Sequence, residues 1–153
     1  MIKIIPNFLI KDEINYFINL WDIDNAYYNQ SNIYNCYRIN LLSDFNCIGT
    51  KFEKCEFNMF RIQMVNNDID QSKQFHTHPN APYSFIIFLN DNYDGGEVEF
   101  GDGQKIVPEI GTMIYFTSDE SHRVLNCTSD RYTLIGFLKS DMFYSKETKK
   151  LLW

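Results

Sequence analysis

Histidine is scarce in this chain: only 3 occur among 153 residues, at His76, His78 and His122. The four cysteines, Cys36, Cys47, Cys55 and Cys127, are widely spaced and include no CxxC pair. That spacing argues against a zinc-ribbon or dithiol redox motif and leaves free, buried thiols as the expectation. No Lys/Arg run occurs, and 14 basic residues are outnumbered by 20 acidic ones, for a formal net charge of −6. A chain of this sign gains nothing from a phosphate backbone, so nucleic acid is not an expected partner. No stretch approaches the roughly 20 apolar residues of a membrane-spanning helix. The start, Met1-Ile2-Lys3-Ile4-Ile5-Pro6-Asn7, has neither the apolar core nor the cleavage site of a signal peptide. A soluble, cytoplasmic protein with no membrane partner is therefore expected. No repeat, low-complexity tract or Pro/Gly/Ser linker divides it, and its length suits one domain over 1–153.

Aromatic residues, by contrast, are abundant, at 16%, with 13 Phe and 10 Tyr. Such residues suit the pleated surface of a sheet. Ile14, Phe17, Ile18 and Trp21 fall at helical spacing behind the acidic Asp12 and Glu13, which predicts a helix over 12–20 packed by one apolar stripe. Residues 26–46 show no clear period and read as loop with a short strand. From Phe57 the pattern becomes strand after strand. Over 57–65, Phe60, Ile62 and Met64 alternate with Met59, Arg61, Gln63 and Val65. Residues 83–89 are almost continuously apolar, as in a strand buried on both faces. Turns at Asp94-Gly95-Gly96, Asp102-Gly103 and Pro108 to Gly111 separate further short strands over 97–100, 104–107, 112–116, 122–127 and 131–138. Short strands with regular turns predict a mainly β fold, a sandwich or jelly roll, with the N-terminal helix packed on one sheet.

Within that pattern the histidines acquire meaning. His76 and His78 are two apart, so on an extended chain both imidazoles leave the same face. His122 opens a later strand that a sandwich can bring opposite them. Imidazole suits iron, zinc, copper or nickel, and three protein ligands leave open positions for a chelating co-substrate and dioxygen. Surface or hydrogen-bonding histidines are the plainer alternative. Arg131 starts an apolar strand nine residues after His122, and Thr133 shares its face. A guanidinium beside a hydroxyl can capture a carboxylate; a rim salt bridge is the plainer role.

Taken in order, His76-Thr77-His78, Tyr83-Ser84-Phe85-Ile86-Ile87-Phe88-Leu89-Asn90, Asp94-Gly95-Gly96-Glu97-Val98-Glu99-Phe100, Pro108 with Gly111, Met113-Ile114-Tyr115-Phe116, His122-Arg123-Val124 and Arg131-Tyr132-Thr133-Leu134 resemble the 2-oxoglutarate/iron(II) oxygenases of the prolyl 4-hydroxylase type. The resemblance implies a double-stranded β-helix of the cupin-like class. It implies a dioxygenase that couples decarboxylation of 2-oxoglutarate to succinate with hydroxylation of a prolyl, peptidyl or small-metabolite substrate. Ascorbate enters as an auxiliary reductant. By position, His76 is the first metal ligand, His122 the distal histidine, and Arg131 the partner of the co-substrate's C5 carboxylate, with Thr133 adding a hydroxyl.

Two positions depart from that family. His78 stands where a ligating Asp is expected, and Phe88 stands where these hydroxylases often carry a tyrosine that bonds the co-substrate. The segment His76-Thr77-His78-Pro79-Asn80 is similar to a phage and bacterial branch with HxHP. His78 then either completes a three-histidine set or faces away and leaves the third position to water or chloride, with Asp94 and Glu97 as substitute carboxylates or plain turn residues. Arg61 and Gln63 are candidates to line the pocket. The rivals are a cupin-like three-histidine metalloprotein, a decayed oxygenase scaffold acting as a binding module, and a metal-free jelly roll. Pro79-Asn80-Ala81-Pro82 lacks the glutamate that cupins place after HxH.

Overall fold

The computed structural model describes residues 1–21, 27–28, 34–39, 57–65, 74–79, 82–117, 119–138, 143–145 and 150–152, with side chains over 1–19, 74–79, 82–117 and 119–136. The elements are β1 (Ile2–Ile5), α1 (Lys11–Trp21), β2 (Tyr27–Tyr28), β3 (Tyr34–Ile39), β4 (Phe57–Val65), β5 (Tyr83–Phe88), β6 (Val98–Phe100), β7 (Lys105–Ile106), β8 (Met113–Thr117), β9 (His122–Val124), β10 (Arg131–Leu138), β11 (Phe143–Ser145) and β12 (Lys150–Leu152). Seven strands form one sheet in the order β1-β8-β5-β10-β4-β3-β2, and three form a smaller one, β7-β6-β9. β11 and β12 pair separately. Every ladder is antiparallel. This is the mainly β architecture that the strand pattern predicts, and the double-stranded β-helix that the resemblance implies.

The core follows from the two-residue period of its strands. Ile86 and Phe88 of β5 and Ile114 and Phe116 of β8 form a buried cluster with Val98, Phe100 and Ile106 of the small sheet. Ile135 of β10 and Ile2 of β1 pack partly buried against it. The intervening Phe85, Ile87, Met113, Tyr115 and Leu134 point the other way, yet they are buried too. At β5 and β8 the large sheet is therefore covered on both faces, which is why β5 reads as a near-continuous apolar run. On α1, Ile14 and Phe17 are buried. The Leu9 N–H donates to the Gly111 carbonyl at 3.1 Å, and a Cβ on Gly111 would lie 3.5 Å from Ile14 Cδ1. Those contacts bring the start of the helix onto the turn that feeds β8.

Three elements lie outside the predicted set. β1 has only four residues, with Lys3 and Ile4 exposed between half-buried Ile2 and Ile5, so it shows no alternation; its partner β8 defines it, from Ile2 opposite Phe116 to Ile5 opposite Met113. β11 and β12 are three residues each. The expected strand over 122–127 ends at Val124 and resumes as an isolated bridge between Gly95 and Cys127.

Gly136 shows how closely the large sheet is packed. It sits opposite Phe85, and a Cβ there would stand 2.2 Å from Cε1 and 2.3 Å from Cζ of that ring. Phe85 is fully buried and has no room to withdraw. Gly136→Ala is expected to destabilise the fold by about 1–3 kcal/mol, read as a lower urea midpoint with an unchanged slope.

Candidate metal centre

Among the described residues, the HxH segment joins the small sheet through one bridge, His76 opposite His122. The His76 N–H donates to the His122 carbonyl at 3.0 Å, and the His122 N–H returns a bond to the His76 carbonyl at 3.1 Å. Residues paired this way carry their side chains on the same face. His78, two residues on, joins them. The ring centroids lie 4.5 Å (His76 to His122), 5.0 Å (His76 to His78) and 5.1 Å (His78 to His122) apart. One ligand nitrogen from each falls within 4.8 Å of the other two, a group able to hold a metal ion. His78 thus stands with the other two histidines. Asp94 and Glu97 are not members of the group.

Which nitrogen faces the cluster follows from the backbone. His76 Nδ1 lies 2.8 Å from the Gln74 carbonyl oxygen, and His122 Nδ1 lies 2.8 Å from that of Glu120. A carbonyl only accepts, so in each ring Nδ1 carries the hydrogen and Nε2 keeps the lone pair. The same i−2 carbonyl sets both tautomers.

His122 is 2% exposed and walled by Phe116 at 4.7 Å and Phe100 at 6.0 Å between centroids. Burial pushes its pKa down to about 4, with His76 adding to the fall and the Glu120 carbonyl opposing it. At neutral pH the imidazole is uncharged, as a metal ligand must be. On the outer face of the same strands, Arg123 Nε donates to Glu99 at 2.6 Å, and the Arg123 guanidinium lies 4.5 Å from the Phe75 ring centroid. The neighbours of His76 and His122 are thereby clamped from behind.

The carboxylate-capturing pair is also inside. Arg131 is 1% exposed and Thr133 0%. Thr133 lies directly opposite Phe88, and the Arg131 guanidinium lies 5.4 Å from the Phe88 ring centroid. Phe88 belongs to the cluster that includes Phe100 and Phe116, the two rings against His122. His122 and the Arg131 guanidinium therefore lie against rings of one aromatic cluster. Thr133 Oγ1 is buried there with no hydrogen-bond partner among the described residues, and so is the Tyr93 hydroxyl. Both positions suit a bound anion with acceptor oxygens. Tyr93 carries no sequence signature of its own; the nearest signal is the Asp94-Gly95-Gly96 turn beside it. The register puts Gln63 beside Thr133 and Arg61 beside Ile135, but their side chains lie outside the described residues. Of the cysteines, Cys127 is a buried free thiol that donates to the Ser129 carbonyl at 3.2 Å; the other thiols lie outside the described residues. An open groove of about 410 Å³ reaches the cluster from outside, lined by Thr77, His78, Pro79, Pro82, Tyr83 and Asp119 among others.

Residues 56–139, more than half of the chain, match the family model of the 2OG-Fe(II) oxygenase superfamily. No curated protein matches the chain. Among solved structures, an oxidoreductase of the 2OG-Fe(II) oxygenase family from Burkholderia pseudomallei aligns at 18% identity over 90% of this chain and 84% of that one, with a TM-score of 0.71. A Pseudomonas putida prolyl-4-hydroxylase aligns at 16% identity over 92% of both, with a TM-score of 0.65. HygX from Streptomyces hygroscopicus, solved with nickel and 2-oxoglutarate bound, aligns at 11% identity over 96% of this chain and 89% of that one, with a TM-score of 0.64. At these identities the likeness concerns the fold.

His122 supplies a pH prediction for the metal-free protein. Its pKa falls from 6.5 in the unfolded chain to about 4 in the fold, so between those values the unfolded chain takes up a proton that the native state refuses. Stability present above pH 6.5 is then lost as pH drops toward 4, by up to about 3 kcal/mol. Denaturant melts at stepped pH should show this slope, and His122→Gln, which does not titrate, should flatten it.

Proposed function

The chain belongs to the 2OG-Fe(II) oxygenase superfamily, and from that membership we propose that it is an Fe(II)- and 2-oxoglutarate-dependent dioxygenase. In this reading His76, His78 and His122 hold the metal, while Arg131 and Thr133 anchor the co-substrate. The observation that supports it is that His122, one of the three grouped imidazoles, and the buried Arg131 guanidinium lie against rings of the same aromatic cluster, with Thr133 buried two residues from Arg131 on its strand. The donor set fits a borderline divalent ion. The buried Arg131 charge and the unsatisfied Thr133 hydroxyl fit a carboxylate. Bound there, iron(II) and 2-oxoglutarate supply the oxidation, in which dioxygen, 2-oxoglutarate and a substrate C–H give succinate, carbon dioxide and C–OH.

The protein's part is placement and exclusion of water. His76 and His122 present Nε2 without needing to rotate, because their Nδ1 hydrogens are already committed. Phe100 and Phe116 keep water from the inner side of His122. With His78 in place of a carboxylate, the ligands carry no negative charge, so the ion's full +2 faces the dianionic co-substrate. Substrate enters by the groove beside His78, open enough for a peptide segment or a small metabolite. A cupin-like role would leave the buried Arg131 without a task.

The test is anaerobic addition of Fe(II) and 2-oxoglutarate with the visible charge-transfer band recorded. Wild type is expected to develop the band and, on exposure to air, to form succinate even without substrate. Arg131→Ala removes a desolvated charge partner and is expected to need at least 30-fold more 2-oxoglutarate. His78→Ala is expected to lower Fe(II) affinity by 10-fold or more in calorimetry. Metal binding without a band sinks the oxygenase reading in favour of a cupin-like one; neither metal nor band leaves a binding scaffold.

A further inference from the structure

Phe88 carries no hydroxyl at the β5 position where the resemblance implies one, and Tyr93, on the loop between β5 and β6, brings a hydroxyl against the Arg131 side chain. The Tyr93 ring and the Arg131 side chain converge over Gly96. A Cβ on that residue would stand 2.7 Å from Tyr93 Cε2 and 3.3 Å from Arg131 Cδ, at a φ of +72°. Only glycine lets the two side chains meet there. The Tyr93 hydroxyl is buried, and it faces the guanidinium, whose charge and weak hydrogen bonding pull on the phenol; no well-formed hydrogen bond is completed among the described residues.

The loop is tied at both sides of Tyr93. Asn90 Nδ2 donates to the Asp130 carbonyl at 3.0 Å, and the Tyr132 N–H donates to Asn90 Oδ1 at 2.7 Å. The Asp94 N–H donates to Thr128 Oγ1 at 2.9 Å, and the Thr128 N–H returns to the Asp94 carbonyl at 3.0 Å. The ring is therefore held beside the first residues of β10 rather than swinging over them. A phenylalanine would fill the same space and would spare the fold an unsatisfied buried hydroxyl. The oxygen makes sense as a donor toward something that enters.

We propose that Tyr93 is a co-substrate-binding residue whose hydroxyl, with Arg131 and Thr133, bonds the distal carboxylate of 2-oxoglutarate and replaces the hydroxyl absent at Phe88. The assignment rests on the dioxygenase reading and adds to it a third anchoring group from a different strand connection. Burial pushes the phenol up to about 12, so it stays protonated and donates at any working pH.

Calorimetry on the Ni(II)-loaded full chain tests this with two probes: 2-oxoglutarate, and oxalate, which chelates a metal in the same way but has no distal carboxylate. Tyr93→Phe is expected to weaken 2-oxoglutarate binding by 10-fold or more while oxalate affinity stays within twofold of wild type. Unchanged 2-oxoglutarate affinity in Tyr93→Phe overturns the inference and leaves the dioxygenase reading standing. An equal loss for both probes also overturns it, because the residue then acts through the metal or the fold. A wild type that binds oxalate but no 2-oxoglutarate overturns both.

Discussion

Two peptide hydrogen bonds between His76 and His122 set the geometry on which the site depends. They join the HxH segment to the small sheet, and because paired residues share a face they bring the first and last imidazoles together before any ligand arrives. His78 follows by the two-residue period alone. A net hydrogen bond is worth only about 1 kcal/mol, so one isolated bridge needs support. It comes from the opposite face, where Phe75, Arg123 and Glu99, next to or across from the bridged pair, stack and pair. Aromatic burial on the inside and this clamp on the outside reinforce a contact made at the edge of the β6–β9 ladder.

The interior is divided electrically. One end offers three imidazoles, with His122 against phenylalanine rings; the other offers a buried guanidinium with two hydroxyls near it. A dianion with one chelating head and one plain carboxylate satisfies both ends at once, while a monoanion satisfies one. Under the proposed function, selectivity for a dicarboxylic co-substrate follows from where the metal and the guanidinium sit, independently of pocket size.

Most of the β architecture was legible because its long strands keep a strict period: β4 and β10 begin and end where alternation or apolarity does. Short elements were not, since β1 and the β11–β12 pair are defined by their partners rather than by their own pattern. The three-histidine cluster could be read because all three histidines of the chain fall on it, and the inward placement of Arg131 and Thr133 because a polar pair heads an apolar strand. Tyr93 could not. Its place depends on the Gly95-Gly96 turn closing on Asn126 and Cys127, a long-range contact with no local signature. The carbonyls of Gln74 and Glu120 are invisible for a stronger reason, since any residue supplies one.

That last feature bears on how the site tolerates genetic change. In many metal centres a carboxylate side chain orients the ligating histidine, and one codon change can erase it. Here the orienting groups for His76 and His122 are main-chain oxygens. Positions 74 and 120 are therefore free to drift in sequence while the imidazoles keep their aim, and only a change in the path of the chain would disturb them. Imidazole orientation in this protein is inherited with the fold, so the surrounding surface can diversify without disturbing the cluster.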